Sequence, residues 1–173
     1  MLSPYLVMQK GQWHRVLSHT LIHADWLHLG MNMFILYEFG SVVSLDLDEM
    51  GLLGFPALYL AGAIGGAIPA LRRERHNPQY RSLGASGAVS AVLMAFIALH
   101  PTHTLLLFFV IPVPAVVAGI LFFWYESKMR ERTGSMVAHD AHLGGGVVGL
   151  FWVLLGVQDA LPNLVAALQS LLL

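Results

Sequence analysis

Residues 83–100 read LGASGAVSAVLMAFIALH, a run of eighteen positions without an acidic residue, a lysine or an arginine. A membrane-spanning helix needs about 20 mostly apolar residues. The stretch Leu83–His100 has that length and composition. Similar stretches lie on both sides of it. Trp26–Ser44 and Met50–Leu71 precede it, a segment ending near Tyr125 follows, and Ala141–Val157 comes last. The whole chain agrees with its parts. Of 173 residues, 57% are hydrophobic and 11% are charged, against about 25% charged in soluble domains. The mean hydropathy is +0.68. These values exclude a disordered chain, a collagen and an ordinary soluble enzyme. They predict an all-α polytopic membrane protein with five spans in one domain, residues 1–173.

Net charge is −1 with a pI near 6.7, so no basic face argues for nucleic acid. There is no cysteine, which excludes disulfides, thiolate nucleophiles and cysteine metal sites. Met1–Lys10 lacks a positive end followed by an apolar stretch, so no signal peptide is expected there. Within the fourth apolar segment, Pro112 and Pro114 each lack an N–H donor and push the residue before them out of helical geometry. Thr104–Pro112 is therefore expected as an extended apolar loop, with a helix from about Pro114 to Arg130. One sharply kinked helix is the alternative. The tail, 158–173, is too short to span. Its Leu161, Leu164, Val165, Leu168 and Leu172 fall at helical spacing, as in a helix lying in the interface. Gly62 and Gly66, and Gly145 and Gly149, are small residues four apart that let helix backbones approach closely.

A strongly polar side chain costs about 2.5–3.5 kcal/mol at the bilayer centre, and such residues mark function when they face a cavity. Three groups stand out. His28 and Asn32, one turn apart on a helix, put two hydrogen-bonding groups on one wall. That wall suits a developing oxyanion, or plain packing against a neighbour. Ser86 sits between glycines in Gly84-Ala85-Ser86-Gly87. There a hydroxyl is uncrowded and the N–H groups of a helix start are free, although an ordinary cap serine looks the same. His142 enters the last span on the face of Gly145 and Gly149. It titrates in the range needed to take a proton from a serine, or it is a surface histidine. His14, His19, His23 and His28 recur every four or five residues, and His139 and His142 are three apart. No His-Glu-x-x-His motif is present, and Glu38 is the acidic residue within the spans, so no metal site is expected.

Taken in order, these pieces resemble the rhomboid intramembrane serine proteases. The matching residues are Trp13-His14-Arg15 with His19, then His23, His28 and Asn32, then Gly84-Ala85-Ser86-Gly87, then Ala141-His142-x-x-Gly145-x-x-x-Gly149, over about residues 11–157. The resemblance implies a rhomboid-like helical bundle. It implies a Ser-His dyad with Ser86 as nucleophile and His142 as general base, without a carboxylate third member. Asp140, close in sequence, is expected to point elsewhere. His28, Asn32 and the Ser86 backbone N–H would form the oxyanion hole, shaped by Gly84 with Gly87 beside it. Gly145 and Gly149 would set the contact between the serine and histidine helices. Arg15 and His23 would support the loop before the first span. Transmembrane helices would be the substrates, the lipid bilayer the medium, and no cofactor is implied.

The family core has six spans, so the chain reads as lacking the first. All nine Lys and Arg fall on the catalytic side, which the positive-inside rule would put in the cytoplasm. The family puts that side outside. Following the family, the sequence predicts a bacterial cell membrane with the active site facing outside. A non-proteolytic relative that holds transmembrane clients is the alternative function. An ion transporter would need a polar path across several spans, whereas the polar residues gather at one end.

Overall fold

A computed structural model describes residues 1–107, 110–130 and 138–171. Leu172 of the expected tail stripe, and Glu131 and Arg132 of the polar loop before the last span, lie outside the described residues. The N-terminal segment is a short helix, α1 (Pro4–Lys10). Ser3 caps it through its Oγ, Pro4 occupies the first turn, and Gly11 closes it at φ 67°. Then come α2 (Arg15–Ser18) and a 3₁₀ turn (His19–Leu21). Helix α3 (Trp26–Asp46) starts where the Asp25 carboxylate accepts the His28 N–H at 2.7 Å. A 3₁₀ turn (Asp48–Leu53) leads into α4 (Phe55–Arg73). After a polar stretch that includes Glu74, Arg75 and Arg81 comes helix α5 (Ser86–Leu99). After α6 (Ala115–Met129) and α7 (His139–Gly156), the chain bends by 114° into α8 (Ala160–Ser170).

Helix α5 is the centre of the bundle. Residues 87–92 and 94–98 of it are buried, and α3, α4, α6 and α7 pack around it. In lipid, helices gain little from apolar burial and associate through close contact. Glycine provides that contact here. A Cβ on Gly66 would lie 2.9 Å from the Ala141 carbonyl oxygen and 3.0 Å from the Gly87 Cα. One on Gly145 would lie 2.6 Å from the Gly87 carbonyl carbon. One on Gly149 would lie 2.6 Å from the Ala91 Cα. Backbone therefore touches backbone where α4, α5 and α7 meet.

The region 104–114 is not a plain extended loop. Strands β1 (Thr104–Leu107) and β2 (Ile111–Pro114) pair antiparallel, with Thr104 opposite Pro114 and Leu107 opposite Ile111. Two prolines are tolerated because of their register. The Ala115 N–H donates to the His103 carbonyl (2.8 Å), so odd-numbered positions point their N–H into the ladder. Pro112 and Pro114 face the open edge, where no donor is needed.

The helices fall where the five spans are expected, but they differ in length. By length and composition, the helix Asp48–Arg73 alone among the described residues suffices to cross a membrane. His139–Gly156 and Ala160–Ser170 suffice only when taken together across their bend. Helix α5 has 14 residues, which is about 21 Å, against about 30 Å of hydrocarbon. Trp26, Leu27, Tyr37, Leu45 and Leu155 are each more than three-quarters exposed. Such surfaces fit lipid rather than water.

Candidate active site

Ser86 is the first residue of α5 and is half-buried. The first N–H groups of a helix have no partner within it, and the helix dipole makes that end positive. The backbone just before it is held from two sides. The Gly84 N–H donates to the His19 carbonyl (3.1 Å), and Leu2 and Ser82 exchange hydrogen bonds of 2.8 and 3.0 Å. Gly84 has φ 110°, a conformation that side chains rarely adopt, and a Cβ there would lie 2.6 Å from His28 Cε1. The His28 ring thus lies against the serine loop. Asn32, one turn further on, is 4% exposed and donates through Nδ2 to the His28 carbonyl at 2.8 Å.

Helix α7 brings His142 to this end. Gly145, one turn later, rides on the Gly87 backbone, and a Cβ on Gly87 would lie 3.3 Å from the Ala141 carbonyl oxygen. The residues that follow Ser86 and precede His142 are therefore in backbone contact. The structure thus gathers Ser86, His142, His28, Asn32, Gly84, Gly87 and Gly145 at one end of α3, α5 and α7. Gly149 lies one turn deeper, against Ala91.

Arg15 and His23 stand at the edge of this group. Arg15 donates to Gln12 Oε1 (2.6 Å) and the Met1 carbonyl (2.9 Å), so it ties the N-terminal loop together. His23 packs edge-on against His28 with ring centroids 5.1 Å apart, and its buried Nε2 has no partner among the described residues. Burial lowers the His23 pKa, and the neighbouring His28 pushes the same way.

One residue of the site escaped the sequence reading. Glu126, on the helix expected from Pro114 to Arg130 but given no role there, lies on α6 and is 7% exposed. His142 Nδ1–H donates to its Oε1 (3.0 Å), and His139 Nδ1–H donates to its Oε2 (2.6 Å). A carboxylate only accepts, so both rings carry their proton on Nδ1. In the neutral ring this leaves the His142 Nε2 its lone pair. The expected dyad without a carboxylate is therefore corrected to an arrangement in which Glu126 holds the histidine. The signal was present in the spacing. Glu126 follows buried Gly119 by seven residues and the partly buried Phe122 by four, so it continues the inner stripe of α6. Asp140 pairs instead with Arg73, and with Arg130 at 3.9 Å, pinning the start of α7 to α4 and α6.

With this geometry in place, comparison with known proteins is direct. The Rhomboid domain matches residues 10–159. The chain belongs to the rhomboid family. It is accordingly an all-α helical membrane bundle. This rhomboid is 34% identical over 155 residues to RHOMBOID-like protein 12, mitochondrial, of Arabidopsis thaliana, covering 81% of this chain and 45% of that one. It is 34% identical over 162 residues to Rhomboid protein 1, mitochondrial, of Saccharomyces cerevisiae, covering 87% and 45%. It is 30% identical over 148 residues to the human Presenilin-associated rhomboid-like protein, mitochondrial, covering 82% and 37%. The chain thus spans less than half the length of these curated relatives. No solved structure matches it. The expected bacterial cell membrane is corrected, because these relatives are named as mitochondrial proteins.

Proposed function

We propose that this rhomboid is an intramembrane serine endopeptidase that cuts transmembrane-helix substrates. The observation that carries the proposal is the backbone contact of Gly145 with Gly87, which sets His142 beside the Ser86 end of α5 while Glu126 fixes its tautomer. Ser86 Oγ attacks the scissile carbonyl carbon as His142 Nε2 takes its proton. The oxyanion is met by the Ser86 N–H, His28 and the second hydrogen of Asn32 Nδ2, donors held in place before the charge develops. Collapse breaks the peptide bond, and His142 returns the proton to the leaving amine. Water then hydrolyses the acyl-enzyme by the same route. A helical substrate hides its carbonyls, so it must unwind locally before the cut. Helix α5 is shorter than the hydrocarbon is thick, which supports a serine lying below the membrane surface where such a helix can reach it. The names of the relatives support a mitochondrial membrane as the location.

Labelling with a fluorophosphonate in mild detergent tests the assignment without knowledge of the substrate. The parent chain should label, and Ser86→Ala and His142→Ala should not. Equal labelling of Ser86→Ala would remove the nucleophile assignment. A folded parent chain that never labels would favour the client-holding alternative.

A further inference from the structure

Glu126 does more than touch His142. Glu126 of α6 and His139 and His142 of the first turn of α7 each offer a ligand atom, and these atoms lie within 4.8 Å of one another. We propose that this triad is a regulatory site for Zn²⁺ or a similar transition-metal ion, and that metal binding there switches His142 off as a base. The inference rests on Ser86 and His142 being the catalytic pair.

The donor set fits such an ion. Two imidazoles and one carboxylate suit zinc and its neighbours, whereas Mg²⁺ prefers oxygen alone. Glu126 and His139 are each 7% exposed, so the donors are held by the fold rather than waving in solvent. Both rings turn Nδ1 to the carboxylate, at 2.6 and 3.0 Å. Donors around a tetrahedral zinc stand about 3.4 Å apart, given bonds of about 2.0–2.2 Å. The Glu126–His142 and Glu126–His139 contacts need to open by about 0.4 and 0.8 Å, and the remaining donor separation, no more than 4.8 Å, has to settle to the same spacing, leaving a fourth position for water. The ligands come from two helices, so no sequence motif announces them.

The chemistry gives the site its effect. A metal on His142 Nδ1 takes the lone pair made available when the proton leaves that nitrogen. On His142 and on His139 alike the proton passes through solvent from Nδ1 to Nε2, so each ring stays neutral and no proton is lost. Nε2 then carries N–H and has no lone pair for the Ser86 hydroxyl. In the hydrogen-bonded state Glu126 enforces the active tautomer, and in the metal-bound state the ion enforces the inactive one.

Metal binding is measured first on Ser86→Ala, which needs no protease activity. Calorimetry of the chelator-stripped chain with Zn²⁺ should give one ion per chain and a raised unfolding temperature. Binding should be lost in Ser86→Ala chains that also carry His139→Gln or Glu126→Gln, and kept with His14→Gln. No stoichiometric binding, or binding unchanged by both cluster substitutions, overturns the site. Fluorophosphonate labelling of the Ser86 chain is then compared with and without Zn²⁺, each chain serving as its own control. Zn²⁺ should slow labelling by roughly a hundredfold, the scale of a lost general base. A chelator should restore it, Mg²⁺ should do nothing, and the His139→Gln chain should not respond. Undiminished labelling at saturating Zn²⁺ overturns the switch. Labelling that survives Ser86→Ala would sink the protease reading and leave the binding result standing.

Discussion

Gly145→Ala tests how the Ser86 end of the bundle is assembled. The new Cβ would sit 2.6 Å from the Gly87 carbonyl carbon and 3.0 Å from its Cα. Carbon atoms in contact rest at about 3.5–4.0 Å, so α7 must move from α5 by about 1 Å at this point. The obstacle is backbone, which cannot rotate out of the way as a side chain would. Overpacking of this kind costs about 1–3 kcal/mol. His142 lies one turn away on the same helix, so it moves with the shift, and a misplacement of about 1 Å costs on the order of 10²-fold in rate. The assay is the rate of fluorophosphonate labelling, with thermal unfolding in the same detergent to read stability. Gly30→Ala is the control. Nothing lies within 4 Å of its Cβ, and alanine is the better helix former by about 1 kcal/mol. Labelling of Gly145→Ala at the parental rate, with unfolding unchanged, would refute the claim that bare backbone contact places the histidine.

Glu126→Gln should slow labelling by roughly 10²–10⁴, because an amide can present its own N–H to His142 Nδ1 and release the active tautomer; a parental rate would show that Glu126 is only a packing residue. Gly84→Ala should displace the His28 ring, since its Cβ meets Cε1 at 2.6 Å and φ is 110°; a loss of about 10²–10³ is expected for a missing oxyanion donor, and an unchanged rate would remove His28 from the hole. His19 should make stability fall with acid. Burial lowers its pKa, partly offset by the hydrogen bond from Nδ1 to the Arg15 carbonyl, so the unfolded chain takes up a proton near pH 6.5 before the folded chain does. Its contribution is complete above that pH and is lost as pH falls towards the lower folded value. His19→Gln should flatten the fall in unfolding temperature between pH 7.5 and 5.5, and an equal fall in both chains would refute the assignment.

The sequence and the structure agree where hydrophobic length decides. Trp26–Ser44 is visible as an apolar run and becomes α3, and Ala141–Val157 becomes α7 with its boundaries moved by one or two residues. The proline pair was legible as a helix boundary, and α6 begins at Ala115. The hairpin was not legible, because prolines argue against strands unless their register puts both on an open edge, and register depends on the partner strand. That Ser86 and His142 meet at one end of the bundle was legible through the glycines beside them. Glu126 was hidden by company: with Ser127, Lys128 and Arg130 after it, it looks like part of a solvated helix end. Helix α6 runs on to Met129, and a helix sorts neighbours onto different faces. His139 was hidden for a related reason, since its role depends on a carboxylate thirteen residues earlier on another helix.

The paired backbones of Leu2 and Ser82, with Arg81 reaching Ser3 Oγ at 3.1 Å, make the chain's first residues a handle on the serine loop. Ser82 is two residues before Gly84. A fusion or affinity tag joined ahead of Met1 would pull on that handle. For anyone producing this protein, what is joined ahead of Met1 therefore bears on the loop before Ser86, and labelling compared between differently tagged preparations would measure the tag as well as the protein.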